Sequence, residues 1–250
     1  MSYAIIQTDE QRPTREQLTA AFESVDFLTT LDAPTIARDS YGIVVENLSR
    51  SEALKLGRAL GRAGVGVEVV AQSRLAQLPP RLKLRRATFT ADEMVLFDTL
   101  DRPTPVAWER VMAFAAGRVE GIVFAETSES VISKDEYGHT VWSHTSSKEQ
   151  SETTLLADLL LDIEPYRYQM SAEQFHYGYL GDRRTHDADV NFLHVVRDVC
   201  RFARLAALNR GAREVIETGR LPHTYPSRHA YEEELTWMMW RLQKQLDKSR

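Results

Sequence analysis

The chain contains a single cysteine, Cys200. It therefore cannot form an internal disulfide, and a cysteine-based zinc site would have to take its other ligands from elsewhere. No apolar run approaches the ~20 residues that cross a bilayer, and the opening MSYAIIQTDE does not have the basic and then apolar order of a secretory signal. We expect a cytoplasmic protein with no transmembrane segment, in which Cys200 is an inert core residue.

Sequence signatures of several reaction classes are also missing. The chain has no Gly-rich phosphate loop, no G-x-S-x-G elbow and no C-x-x-C pair. The net charge is −5 and no segment forms a basic arm, so we expect no nucleic-acid binding. The strongest cationic cluster is RLKLRR, residues 81–86, where basic and apolar residues alternate as on a surface strand. The basic face of that strand is either solvated or anion-binding.

Residues 1–78 are predicted to form a ferredoxin-like domain. Two helices are indicated by capping-box spacing, Thr14 with Gln17 and Ser49 with Glu52, each followed by an amphipathic pattern. The candidate strands are SYAIIQ, DFLTTL, YGIVVENL and VGVEVVAQ. The resulting order, strand, helix, strand, strand, helix, strand, is the βαββαβ arrangement of a ferredoxin-like plait.

After the paired prolines of AQLPPR the pattern changes to strands without intervening helices. The strands LKLRRATFT and EMVLFDT come first, the stretch LFDTLDRPTPVAWERV indicates a hairpin followed by a return strand, and a helix begins after Asp187. Over residues 82–207 this pattern resembles the pleckstrin-homology-like (PH-like) barrel of bacterial proteins, and the whole chain is similar to two-domain bacterial proteins. The resemblance implies a fold and no reaction.

The predicted fold class is therefore α+β. A ferredoxin-like βαββαβ plait (1–78) precedes a PH-like β-barrel with its closing helix (82–207) and a C-terminal helical extension (208–250). Residues 126–152 are rich in Ser, Thr and Glu and poor in core-forming residues, which predicts a long mobile excursion between strands.

The window FHYGYLGDRRTHDADVNFLHVVRDV is dense in histidine and aspartate. With Asp187 as an N-cap, one half of the helix that follows is apolar, and the other half carries His194, Arg197, Asp198, Arg201 and Arg204. Asp187 and His194 are then about 10 Å apart along the axis, too far to bind one ion together. The window is more typical of a helix start than of a metal centre. A metal-dependent hydrolase that uses His176, His186, Asp187 and His194 is the alternative, and it requires long-range folding.

The last helix, HAYEEELTWMMWRLQKQL, is apolar on two sides. Its core stripe is Tyr231, Leu235, Met238, Leu242 and Leu246. Trp237 and Trp240 project from a different side, so they are either sandwiched between the two domains or form an intermolecular contact. His229 and Glu233 have i, i+4 spacing that can hold a metal, but two ligands leave such a site incomplete.

The predicted function is a non-enzymatic cytoplasmic binding or scaffold module, with no catalytic residue, metal or cofactor. Its partner is expected to be another protein or a second copy, bound through the C-terminal helices with Trp237 and Trp240. The expected site for a small anion consists of Arg183, Arg184, Arg197 and Arg201. Besides the hydrolase, a further alternative is lipid head-group binding by Lys83, Arg85 and Arg86.

Overall fold

The computed structural model describes residues 1–39, 41–98, 100–129, 133–134, 140–141, 144–164 and 166–248. These residues form helices and several sheets, which confirms the predicted α+β class. None of the helices in this part of the chain is both long and apolar enough to cross a bilayer.

The N-terminal unit is a sheet with the strand order β2-β1-β3, in which β1 is antiparallel to both neighbours. Both predicted capping boxes are confirmed, at Thr14 with Gln17 and at Ser49 with Glu52. The elements are β1 (Tyr3–Gln7), α1 (Arg15–Phe22), α2 (Ala33–Asp39), β2 (Ile43–Leu48), α3 (Arg50–Arg62) and β3 (Val67–Ala71).

The predicted strand DFLTTL is wrong, and the described unit therefore differs from the four-stranded ferredoxin-like plait. The segment carries turns and leads into α2. A local hydrogen-bond pattern explains this, because the Asp32 carboxylate accepts from the Thr29 backbone N–H at 3.0 Å and from its hydroxyl at 2.8 Å. Such side-chain bonds to the backbone compete with strand pairing and favour a turn before a helix.

The second unit contains three separate sheets in its described residues, and no closed barrel is formed there. One sheet pairs β9 with β10, and another has the order β5-β6-β7. The third, the larger sheet, has the order β13-β8-β11-β12-β4, in which β13 is Ala207–Leu208, and β14 (Thr224–Tyr225) is also paired to β8. The strands before α4 are β4 (Leu82–Lys83), β5 (Arg86–Phe89), β6 (Glu93–Phe97), β7 (Pro103–Ala107), β8 (Val111–Glu129), β9 (Ser133–Lys134), β10 (Thr140–Val141), β11 (His144–Leu161) and β12 (Arg167–Ser171).

The excursion predicted for 126–152 is wrong wherever the backbone is described. Residues 126–129 and 144–152 continue the antiparallel pairing of β8 with β11, and β9 pairs with β10. Residues 130–132, 135–139 and 142–143 lie outside the described part of the chain. Ladder hydrogen bonds join backbone groups and do not require apolar side chains, so a polar composition does not exclude a strand.

The C-terminal segment contains α4 (Ala188–Phe202), β13 (Ala207–Leu208), α5 (Arg210–Thr218), β14 (Thr224–Tyr225) and α6 (Arg228–Lys248). The predicted N-cap is confirmed, since the Asp187 side chain accepts from the backbone N–H groups of Asp189 and Val190. Asp198 was predicted on the solvated arc of α4 and is instead buried, with 9% exposure. Both β13 and β14 pair with β8, so this segment is integrated into the larger sheet.

Helix α6 lies between the N-terminal sheet and the larger sheet of the second unit. One core cluster joins apolar residues of both sheets to α6. Trp237 and Trp240 are buried in it, and the Trp237 indole N–H donates to the backbone carbonyl of Gln7 at 2.9 Å. Both tryptophans therefore pack within the chain, in the cluster that joins the N-terminal sheet, α6 and the larger sheet. The predicted core stripe ends before Leu246, which is exposed.

Candidate functional site

Arg183, one of the predicted anion-binding residues, is already paired. Its guanidinium donates to both carboxylate oxygens of Asp198, at 3.0 and 2.7 Å, and the Tyr179 hydroxyl donates to the same carboxylate at 3.0 Å. Burial and the charge of Asp198 raise the pKa of Tyr179 above its ordinary value, so this donor stays protonated. Arg183 thus fastens the 3-10 segment Tyr177–Arg183 to α4, which also explains why Asp198 can be buried.

The other three predicted arginines have separate surroundings. Arg184 lines a cleft of about 530 Å³ with His186 and Tyr177. Arg197 donates to the carbonyl oxygen of Gly219 at 2.9 Å. Arg201 is exposed, and its guanidinium carbon lies 5.8 Å from the centre of the Phe202 ring. The contacts of these arginines do not bring them into one common site.

The histidines of the hydrolase alternative are likewise dispersed. His176 lines a cleft of about 330 Å³ with Arg85 and Arg86, whereas His186 lines the Arg184 cleft and Asp187 caps α4. His194 is partly exposed on α4. Over the described residues, the group of three metal-type ligands that does converge is a different one, Glu46, His229 and Glu233.

Cationic residues far apart in sequence meet in a groove of about 280 Å³, which we call the basic groove. Lys83 and Arg85 come from β4 and the residues after it, and Arg228 comes from the start of α6. Gln169 and Ser171 of β12 also line the groove, and the carboxylates of Glu152 and Glu173 lie on its wall. The groove is therefore rich in hydrogen-bonding groups, with three cations and two carboxylates.

The position of β4 explains why Lys83 and Arg85 face this groove. Lys83 is paired with Gln169 in the parallel ladder between β4 and β12, and the N–H of Leu84 donates to the carbonyl of Gln169 at 2.8 Å. Leu84 is buried with 2% exposure, while Lys83 and Arg85 are exposed. The predicted alternation holds there but fails at Leu82, which is 46% exposed.

A buried network holds Gln169, one of the residues that line the basic groove. Asp158 is fully buried and accepts hydrogen bonds from Arg167 at 2.6 Å, from the Tyr231 hydroxyl at 2.8 Å and from the Gln169 amide at 3.0 Å. Burial and the Asp158 charge raise the pKa of Tyr231 well above its ordinary value, so the phenol remains a donor. The amide oxygen of Gln169 then accepts from Arg228 at 3.1 Å. Arg228 is thus oriented before any ligand arrives.

The basic residues near the groove differ in how far they are neutralised. Neither Lys83 nor Arg85 forms an ion pair with another residue in the described ranges. Arg86 pairs with Asp101 at 2.8 Å and stacks on the Phe97 ring at 3.7 Å. Lys83, Arg85 and Arg86 therefore do not act as one set of free cations. Sequence reasoning identified Lys83 and Arg85 but missed Arg228 and Gln169, because no local spacing links them to β4.

Comparison with known proteins does not assign a family. No protein-family model, no curated protein and no solved structure matches the chain. The function is therefore inferred from the geometry of the described residues.

Proposed function

We propose that the protein is a non-enzymatic binding module that recognises an acidic segment of a protein partner at the basic groove. The observation that carries this proposal is the convergence of Lys83, Arg85 and Arg228 on one groove from distant positions in the sequence. Arg228 is held by Gln169, so part of the entropic cost of ordering the site is already met in the free protein.

The size of the basic groove favours a segment of a larger partner over a complete small molecule. Its volume, about 280 Å³, is at the lower limit of ligand pockets, which span roughly 300–1,000 Å³. One or two carboxylate side chains fit such a space. In addition, β4 stands at one end of the described strand order, where an extended segment can add to the sheet by backbone hydrogen bonds.

A membrane surface fits the groove less well. Polybasic sites for anionic lipids have clusters of about four to eight Lys or Arg residues, whereas this groove has three, flanked by two carboxylates. Arg86, the third residue of the lipid hypothesis, is neutralised by Asp101. We therefore expect the basic groove to bind an acidic peptide more tightly than a vesicle of anionic lipid.

The C-terminal helices contribute to this binding through a residue other than their tryptophans. Trp237 and Trp240 are buried inside the chain and do not form the partner surface that was one of their predicted roles. The first residue of α6, Arg228, contributes instead through the basic groove. The cytoplasmic location expected from the sequence stays a prediction.

The test is binding of a fluorescent ten-residue oligoglutamate peptide, measured by polarisation at low and high salt. The double variant Lys83→Glu/Arg85→Glu should bind at least about tenfold more weakly, because charge reversal removes attraction and adds repulsion. Binding by the unaltered protein should also weaken with salt.

The matched control is Arg58→Glu/Arg62→Glu, which changes the net charge equally on the exposed side of α3. Equal loss in both variants would show a nonspecific charge effect and reject the groove. Tighter binding to phosphatidylserine vesicles than to the peptide, again lost in the Lys83/Arg85 variant, would replace the protein partner with a lipid surface.

A further inference from the structure

Glu46, His229 and Glu233 bring ligand atoms to within 4.8 Å of one another. His229 and Glu233 lie one turn apart on α6, with His229 Nε2 3.4 Å from Glu233 Oε1. Glu46 belongs to β2 of the N-terminal sheet. The fold therefore adds a third ligand to a pair that the sequence left incomplete.

An irregularity in β2 accompanies the placement of Glu46. Tyr3 is opposite Leu48 and Ile5 is opposite Val45, so β2 has one more residue than β1 over this stretch. Asn47, directly after Glu46, has a φ of 62°, in the left-handed region. An extra strand residue of this kind is a β-bulge, which bends the strand and redirects the neighbouring side chains. Glu46, which meets the His229–Glu233 pair, lies within this bulged stretch of β2.

The charges in this group are unbalanced. Two carboxylates face one imidazole, and no Lys or Arg in the described ranges forms an ion pair with Glu46 or Glu233. A dication placed among the three ligands would compensate both carboxylates.

We propose that Glu46, His229 and Glu233 bind a divalent transition metal of the Zn²⁺ class. One imidazole nitrogen with two carboxylate oxygens is a donor set suited to Zn²⁺ and to neighbouring metals such as Co²⁺ and Mn²⁺, whereas Mg²⁺ and Ca²⁺ prefer oxygen ligands alone. The His229 side chain is 75% exposed, so further coordination positions are open to water. The metal would join β2 to α6 and so link the N-terminal unit to the helix that packs on both sheets.

The test is titration of EDTA-treated, dialysed protein with Zn²⁺ by calorimetry, together with Co²⁺ absorption spectra. We expect one Zn²⁺ per chain, and a visible Co²⁺ spectrum that Zn²⁺ abolishes. Mg²⁺ should not compete at equal concentration. The variants His229→Gln and Glu46→Gln should each weaken Zn²⁺ binding at least about tenfold, because each removes one of three protein ligands.

Two matched controls are His186→Gln and His194→Gln, which alter histidines of the dispersed set. Zn²⁺ affinity that falls in these controls and not in the Glu46 and His229 variants would overturn the proposal and move the metal to the other histidines. No Zn²⁺ binding at millimolar concentration, or affinity unchanged in all variants, would also overturn it.

Folding of each variant is checked separately from metal binding. Circular dichroism should show that the metal-free Glu46→Gln and Glu233→Gln proteins, which are nearly isosteric with the unaltered chain, retain the native spectrum. Zn²⁺ should raise the unfolding temperature of the unaltered protein more than that of these variants, since stabilisation by a ligand grows with its affinity for the folded state. An equal rise in the variants would show that Zn²⁺ acts elsewhere and would reject the site.

Discussion

Replacement of Gly42 by alanine should destabilise the packing of α6 against the N-terminal sheet. Gly42 has a φ of +87°, and a Cβ at this position would lie 2.5 Å from Cδ2 and 2.7 Å from Cβ of Trp237. The same glycine exchanges backbone and side-chain hydrogen bonds with Gln7, whose carbonyl accepts from the Trp237 indole. An added methyl group would therefore clash with the Trp237 side chain, which is held in place by its hydrogen bond to Gln7.

Three costs contribute to the expected effect of Gly42→Ala on the free energy of unfolding. Forcing a Cβ into the left-handed region costs about 1–2 kcal/mol. Overpacking against Trp237 costs about 1–3 kcal/mol. Weakening the indole hydrogen bond to Gln7 costs about 0.5–1.5 kcal/mol. We expect a total of roughly 3–6 kcal/mol, a large part of the stability of an ordinary domain.

The assay is urea unfolding followed by tryptophan fluorescence and circular dichroism. The control is Gly61→Ala, because Gly61 lies in α3 with nothing within 4 Å of the added Cβ. That change should be neutral or stabilise the protein by up to about 1 kcal/mol. A loss below about 1 kcal/mol for Gly42→Ala would refute the inference that Trp237 is held tightly between α6 and the N-terminal sheet.

Two further predictions concern single titratable groups. Burial, with the charges of Arg210 and Arg12, lowers the pKa of His223 to about 4 from 6.5. The unfolded chain binds a proton at this histidine more readily than the folded chain, so the free energy of unfolding is highest above pH 6.5 and falls as the pH drops toward 4. In urea unfolding, His223→Gln should remove about 1 kcal/mol of the loss of stability between pH 7 and pH 5. An unchanged dependence of the free energy of unfolding on pH in this variant would contradict the prediction. Burial raises the pKa of the Cys200 thiol to about 12. Ellman's reagent at pH 8 should therefore react at least about 100-fold faster in urea than with the native protein, and equal rates would contradict protection of this half-buried thiol by the fold.

Features specified within one helical turn could be predicted from the sequence. Thr14 with Gln17, Ser49 with Glu52, and Asp187 with the N–H groups after it all act over three residues or fewer. The side chain and the backbone donor that it satisfies are then neighbours in sequence, and no tertiary contact is needed to bring them together. These helix starts were therefore found correctly.

Features that depend on distant partners could not be predicted in this way. The helical pattern predicts that Asp198 is solvated, because isolated charges on a helix usually are. Asp198 is instead buried, because Arg183 and Tyr179 of the preceding segment form hydrogen bonds to its carboxylate. The outer part of the β8–β11 pairing, residues 126–129 and 144–152, is another example, since its composition is typical of a loop. Composition and periodicity do not contain the register of a distant strand.

The two apolar sides of α6 could be predicted from the sequence, but the sites at its first turn could not. One core cluster packs α6 against both the N-terminal sheet and the larger sheet. What the pattern could not show is that the first turn of α6 then places Arg228 at the basic groove and His229 beside Glu46. Consecutive helical residues point about 100° apart, so these two neighbours face different surroundings. A substitution at Arg228 should therefore weaken binding at the basic groove alone, and a substitution at His229 should weaken metal binding alone. A change that disrupts the packing of α6 at Trp237 should weaken both kinds of binding together.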